Sequence, residues 1–208
     1  MEILIIGGIL ALALLFVPGW LGRSREAMLT QYTALEKRFY FTRKRYPSKW
    51  GRGIGDRYSL SGDFQGYPIT LYDHFRGEGS AKQVWTSLSL EMLFAGEMEA
   101  LIEPSIGDDA ARFPKGESLE DVGATAGAFS VFSNSVGIGR DLLDAELNER
   151  FERFKGRGSF RLSKGFFEYR ESGRMIDETK RLAFQDALAI LAALGDRLSE
   201  LQAPEDSD

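Results

Sequence analysis

The sequence predicts an α+β fold with a single N-terminal transmembrane helix, a juxtamembrane amphipathic helix, and an antiparallel sheet with two packed helices. Three observations favour it. Residues 3–22 contain no charged side chain, residues 58–92 alternate between apolar and polar types, and the final third contains two stretches with helical periodicity. A chain of 208 residues suits one globular domain with an appendage.

The apolar run over residues 3–22 predicts a membrane span. Twenty helical residues rise about 30 Å, which matches the hydrocarbon core of a bilayer. A cleaved signal peptide fits less well, because only Glu2 precedes the run and no clear small-residue cleavage site follows it. A buried core helix is the remaining alternative. We therefore predict a transmembrane helix over residues 1–22.

The charge distribution predicts the orientation of this span. Ten basic residues and three acidic residues lie between Arg23 and Arg57. Basic residues next to a span stay on the cytoplasmic side. We therefore expect a single-pass protein of the bacterial inner membrane with its main domain in the cytoplasm. The whole chain carries a net charge of −5, so its remainder is acidic, which argues against nucleic acid as a partner.

The domain organisation follows from composition. Ser24 can cap a helix that Pro47 should end, and a glycine-rich linker follows. We predict a basic juxtamembrane helix and linker over residues 23–56, a soluble α+β domain over 57–202, and a disordered tail over 203–208.

The juxtamembrane helix carries an apolar stripe. Three arrangements fit the stripe: packing onto the chain's own domain, a coiled coil with a second copy, or an amphipathic helix lying on a lipid surface. The candidate self-association residues are Met28, Tyr32, Leu35 and Phe39.

The end of this helix and the start of the linker interleave basic and aromatic side chains. Such a stretch can bind anionic lipid or a partner, and the plainer alternative is a positive stalk that sets topology and solubility. The candidate lipid- or partner-binding residues are Lys37, Arg38, Arg43, Lys44, Arg45, Lys49 and Trp50.

The body of the chain predicts strands first and helices last. Three alternating runs, 58–64, 67–75 and 84–92, predict an antiparallel meander with one buried face. Residues 159–169 predict a hairpin that places Leu162 opposite Phe167. Residues 141–155 and a last helix capped by Asp177 predict the two packed helices.

Two segments resemble a bacterial family of membrane-anchored proteins of unknown function. The longer is FSVFSNSVGIGRDLLDAELNERFERFKGRGSFRLSKGFFEY (129–169), in which Arg140, Leu142 and Leu143 match, while Ser135 replaces the family's usual acidic residue. The shorter is GDFQGYPITLYDHF (62–75). The resemblance implies an N-terminal anchor and an α+β domain, and it implies no activity.

Composition removes many kinds of chemistry. With no cysteine and one histidine, the chain has no disulfide, no cysteine-ligated metal and no site with two imidazoles. Asp73 and His74 are neighbours on a predicted strand, so their side chains should point to opposite faces. Gly137-Ile138-Gly139 lacks the third glycine of a dinucleotide fingerprint and is more typical of a turn. We expect no catalytic residues, cofactor or metal.

These observations favour a non-catalytic interaction or accessory module anchored at the membrane, with a protein partner or a second copy as the ligand. Two alternatives remain. The domain binds a lipid or small molecule, enzymatically or not, or the chain is a membrane scaffold that self-associates through its juxtamembrane helix.

Overall fold

The computed structural model describes residues 23–47, 56–77, 83–92, 96–105, 113, 116 and 118–203. The helices and strands in chain order are α1 (23–39), β1 (Thr42–Tyr46), β2 (Arg57–Phe64), β3 (Tyr67–Arg76), β4 (Gln83–Glu91), β5 (Ala100–Pro104), β6 (Glu120–Ala126), β7 (Phe129–Ser133), α2 (Val136–Asp141), α3 (Ala145–Phe154), β8 (Ser159–Ser163), β9 (Phe166–Ser172) and α4 (Glu178–Gln202).

Nine strands form one sheet in the order β1-β2-β3-β4-β9-β8-β5-β7-β6, and every neighbouring pair is antiparallel. The meander β1–β4 follows the chain. The late hairpin β8–β9 is inserted between β4 and β5. This insertion joins the first and second halves of the chain into a single sheet.

One face of the sheet is covered by helices. Side chains alternate between faces along each strand, so every second residue points at the helices. The residues on this covered face are apolar at the centre of the sheet: Leu60, Ile69, Leu71, Leu88, Leu90, Ile102, Phe160, Phe167 and Tyr169. They share one core with α1, α3 and the 25-residue α4, which packs against β4 and β9.

The opposite face carries a smaller apolar cluster at one end. Leu101 of β5, Phe113 and Leu119 are buried together, and Phe132 of β7 packs against them. This second cluster covers the β5–β7 part of that face. Toward β1 and β2 the same face is polar and largely exposed.

The predicted fold class is wrong as stated. The described residues form a nine-stranded antiparallel sheet with four helices, rather than an antiparallel sheet with two packed helices behind a membrane span. No helix in the described part of the chain is long and apolar enough to cross a membrane. The predicted transmembrane helix, residues 1–22, lies outside the described residues.

The predicted juxtamembrane helix is too long. It was expected to end at Tyr46, but helix α1 ends at residue 39 and Thr42–Tyr46 form edge strand β1, which pairs Thr42 with Ser61. Tyr40 adopts a φ of 59°, which turns the chain out of the helix. Phe41 is then buried over Gly62, where a Cβ would lie 2.6 Å from Phe41 Cδ1. The turn at Tyr40 was not predicted because the apolar stripe keeps a helical spacing across it.

Several local predictions are confirmed. Strands β2, β3 and β4 form the predicted antiparallel meander. The β8–β9 hairpin pairs Leu162 with Phe167, as expected. Asp177 caps α4 by accepting a hydrogen bond from the backbone N–H of Lys180 at 2.8 Å.

The Gly137-Ile138-Gly139 motif opens helix α2, which packs on β6 and β7. A Cβ on Gly139 would lie 2.5 Å from Ser133 Cβ, whereas a Cβ on Gly137 would meet no atom within 4 Å. The second glycine therefore permits a close approach of helix to strand. The close packing of α2 on β7 explains why a glycine occupies position 139, and no nucleotide-binding role is needed to explain it.

We expect Gly139→Ala to lower the free energy of unfolding by about 1–3 kcal/mol, because the added methyl overpacks the α2–β7 contact. Gly137→Ala in the same helix is the matched control. It should be neutral or stabilise by up to about 1 kcal/mol, since alanine favours helix over glycine. Urea unfolding of both variants measures the difference, and equal stabilities would contradict the close packing of α2.

Candidate functional site

The predicted basic stretch does not form one continuous surface. Strand alternation sends Arg43 and Arg45 toward the covered side of the sheet. There Arg43 pairs with Glu36 at 3.2 Å, and Arg45 pairs with Asp56 at 2.7 Å. Lys44 points to the opposite face. Two of the three strand cations are therefore already neutralised within the chain.

The remaining candidates of that stretch are dispersed. Lys37 is exposed on α1, and the Arg38 guanidinium lies 5.5 Å from the ring centre of its neighbour Phe39. Lys49 and Trp50 lie outside the described residues. The described members of the stretch thus lie on several separate surfaces.

The candidate self-association residues lie in the chain's own core. Met28, Tyr32 and Leu35 are each at most 3% exposed, and Phe39 is partly buried against the same core. A coiled coil through these side chains would require α1 to leave the sheet. The observed arrangement is the first of the three that fit the stripe.

A buried polar cluster joins α1, β3, β4 and α4. The Tyr32 hydroxyl donates to Asp73 Oδ1 at 3.4 Å, and the Thr86 hydroxyl lies 2.9 Å from both Asp73 Oδ1 and the Gly173 carbonyl oxygen. Lys180 is buried and donates to the carbonyl oxygens of Gly173, at 2.7 Å, and of Ser172. Because these partners are far apart in the sequence, no local motif predicts the cluster.

Burial raises the pKa of Asp73, while the Thr86 hydroxyl and the Arg174 guanidinium act in the opposite direction. Burial also lowers the pKa of Lys180. The single Thr86 hydroxyl proton is within reach of both the Asp73 carboxyl and the Gly173 carbonyl oxygen. The cluster is a structural tie between helices and sheet.

Asp73 and His74 point to opposite faces, as predicted. The Asp73 carboxylate belongs to the buried cluster, whereas His74 Nδ1 lies 3.5 Å from Ser87 Oγ on the other face. The imidazole ring is 5.6 Å from the ring of Tyr72. The two side chains therefore do not form a catalytic pair.

The second face of strands β1–β4 is the most distinctive surface. We call this the open face. It is defined by the following side chains, which are exposed or half-buried except for Ser59 and Ser87: Lys44, Tyr46, Arg57, Ser59, Ser61, Thr70, Tyr72, His74, Arg76, Ser87 and Ser89. Basic and aromatic groups thus stand around a floor of small hydroxyl side chains.

A cavity of about 260 Å³ lies in the open face. Tyr46, Arg57, Ser59, Thr70 and Tyr72 line it with their side chains. The remaining lining residues are Tyr58 and Asp73, whose side chains point to the covered face, so they contribute backbone. The depression exists because the Ser59 and Thr70 side chains are small. The larger side chains of Tyr46, Arg57 and Tyr72 form its walls.

The open face continues into a cationic and aromatic cluster at the centre of the sheet. The Arg170 guanidinium lies 3.6 Å from the ring centre of Phe113 and 5.3 Å from that of Trp85. Arg76 lies 5.7 Å from the Trp85 ring, and Arg161 lies 4.6 Å from the Phe113 ring. These cation–π contacts hold three arginines near one another.

Arginines and carboxylates both act on the polar groups of this face. Burial and then the nearby Arg76 lower the pKa of Arg170 to about 9. Burial, Arg170 and Arg76 lower the pKa of His74, while Glu168 opposes them. Glu168 itself is engaged by Arg161, at 3.2 Å, and by the Tyr72 hydroxyl, at 3.3 Å. Next to the cavity itself, Arg57 is a lining residue and the Lys44 ammonium lies beside Tyr46, so two cations are available to an anion there.

The groove between α3 and α4 has a different character. Its volume is about 540 Å³, and charged side chains form most of its lining. Arg150 pairs with Glu146 at 2.6 Å and Arg153 pairs with Glu149. Because these charges compensate one another, the groove offers no comparable excess of one sign.

Within the described residues, no group of three His, Cys, Asp or Glu side chains is placed to hold a metal ion. The open face presents charged groups, hydroxyl donors and aromatic rings, which are suited to recognition.

No protein-family model matches the chain, and no curated protein matches it. The chain shares its fold with a mycobacterial transport factor. That protein is the trehalose monomycolate transport factor A, TtfA, known from a crystal structure. The match has a TM-score of 0.56 at 14% identity and covers 85% of this chain and 94% of that one. At this identity the likeness shows a common architecture.

We expect Asp73→Asn to change how stability depends on pH. The native pKa of Asp73 is raised above its ordinary 3.8, so the native state favours the protonated form. The contribution of Asp73 to stability is therefore greatest below about pH 4 and declines as the pH rises through the native value. Relative to the unaltered chain, the variant should be less stable at acid pH and should recover toward pH 7.

Thr86→Val provides the opposite test, because it removes a hydrogen bond that lowers the pKa of Asp73. The decline should then extend to higher pH. Urea unfolding between about pH 3.5 and 7.5 measures both effects. Parallel pH profiles for all three chains would show that Asp73 ionises normally in the native state.

Proposed function

We propose that this chain is a non-catalytic accessory protein that binds a protein partner through the open face of its sheet. The observation that carries the proposal is the contrast between the two faces. One is sealed by helices, whereas the other presents Tyr46, Tyr72 and the exposed cations Lys44 and Arg57. Aromatic and arginine side chains are the types that dominate binding energies at protein interfaces.

We also propose that the module works at the cytoplasmic side of the bacterial inner membrane. Its support is the sequence: the uncharged run 3–22 and the excess of basic residues between Arg23 and Arg57. A protein of the same fold is named a transport factor, so assisting a transport process is one setting for such a module.

A capture experiment tests the binding proposal. The tagged full chain is recovered from detergent-solubilised membranes of its own bacterium, and co-purifying proteins are quantified. A carbonate wash of a separate membrane sample shows whether the chain stays with the membrane. Lys44→Glu with Arg57→Glu reverses two exposed charges on the open face. The matched control, Arg153→Glu with Lys155→Glu, reverses two exposed charges at the end of α3.

We expect a reproducible protein partner with the unaltered chain and with the control, and at least a tenfold loss with the open-face variant. Charge steering and interface contacts are both removed there. Thermal unfolding checks that the two variants are equally folded. Equal recovery with both variants would remove the open face as the binding surface. Recovery of the chain in the carbonate supernatant would remove the membrane setting.

A further inference from the structure

The cavity of the open face has a size and lining that suit a small anionic group. Its volume of about 260 Å³ lies below the range of about 300–1,000 Å³ that is typical of sites for drug-sized molecules. The Ser59 and Thr70 hydroxyl groups and the Arg57 guanidinium belong to residues that line the cavity. Each of these groups can donate a hydrogen bond to an oxyanion.

Two cations lie at the cavity. Arg57 is exposed at its wall, and the Lys44 ammonium lies 5.3 Å from the ring of Tyr46, another wall residue. On the far side, the Tyr72 ring lies 5.6 Å from that of His74, on which Glu168 acts as well as Arg170 and Arg76. The Glu168 carboxylate is itself bound by Arg161 and Tyr72.

We propose that this cavity is a binding site for a phosphate group, as a monoester or a diester. Arg57 offers a planar pair of N–H donors, and the hydroxyl groups of Ser59 and Thr70 add donors for a tetrahedral anion. Lys44, beside the lining residue Tyr46, adds a second positive charge. The inference rests on the proposed function in one respect only, namely that the open face is the binding face.

The single histidine of the chain makes the test direct. His74 is the only imidazole in the 208 residues, and it contacts Tyr72 at the wall of the cavity. The full chain, labelled at histidine and held in zwitterionic detergent micelles, is titrated with inorganic phosphate at constant ionic strength. Sodium chloride alone serves as the reference. The chemical shifts and the titration midpoint of His74 are followed by NMR.

Phosphate should shift the His74 resonances with saturation and should raise its titration midpoint by a few tenths of a pH unit or more. The reason is that a nearby anion stabilises the imidazolium against Arg76, Arg170 and burial, adding to the effect of Glu168. Arg57→Gln should weaken the apparent affinity about tenfold. Arg153→Gln on α3, where the side chain is also exposed, should leave it unchanged.

Two further arms distinguish the sources of phosphate. Soluble glycerol 3-phosphate represents a free phosphomonoester, and nanodiscs of phosphatidylcholine with or without phosphatidylglycerol represent a lipid headgroup. A saturable His74 response in either arm that Arg57→Gln weakens supports the site. Which arm responds identifies the source.

Three results would overturn the inference. One is a response to phosphate no larger than that to chloride, and another is a response that Arg57→Gln leaves intact. The third is a response only to an acidic peptide such as hexaglutamate, which would assign the face to a carboxylate-rich protein segment. Partner capture that persists without any phosphate response would leave the proposed function standing and remove this site alone.

Discussion

The alternation of side chains along the strands of a half-covered sheet is the constraint on which the rest of the structure depends. Helices α1, α3 and α4 bury one face, so the register that places Leu60, Leu71 and Leu88 in the core also fixes what the other face presents. A slip of one residue would exchange the faces. Core and candidate site are therefore set by the same pairing.

The buried polar cluster around Asp73 makes this arrangement more specific. Its members come from α1, β3, β4 and α4, and their hydrogen bonds hold both helices against the sheet. Removing a partner from a buried polar group destabilises the folded protein. Placements of the helices that leave these groups without their hydrogen bonds are therefore disfavoured. The backbone floor of the cavity, at Asp73, is thereby held in position from the covered side.

The sequence predicts the parts of the fold that local patterns determine. The alternating runs predict the β2–β4 meander, the hairpin pattern over residues 159–169 predicts the β8–β9 register, and Asp177 predicts the start of α4. Edge strand β1 was missed because its residues continue the helical stripe of α1. Strand β6 was missed because its pairing with β7 is irregular between Asp121 and Thr125.

The candidate site was less accessible to sequence reasoning. Lys44 was identified as a basic candidate, but its neighbours on the open face come from strands far along the chain. Ser59 pairs with Tyr72, and His74 pairs with Trp85, only once the sheet has formed. The insertion of β8–β9 next to β4 then brings Arg170 opposite Ser87. These cross-strand neighbours are determined by the order of the strands in the sheet, which no local sequence motif encodes.

We propose that this protein binds its partner through the open face. In vivo photo-crosslinking tests it most directly, with p-benzoyl-phenylalanine placed at Ser61 on the open face or at Leu182 on α4, both of which are exposed. We expect crosslinked adducts from position 61 and none from position 182. Adducts from position 182 with none from position 61 would contradict it.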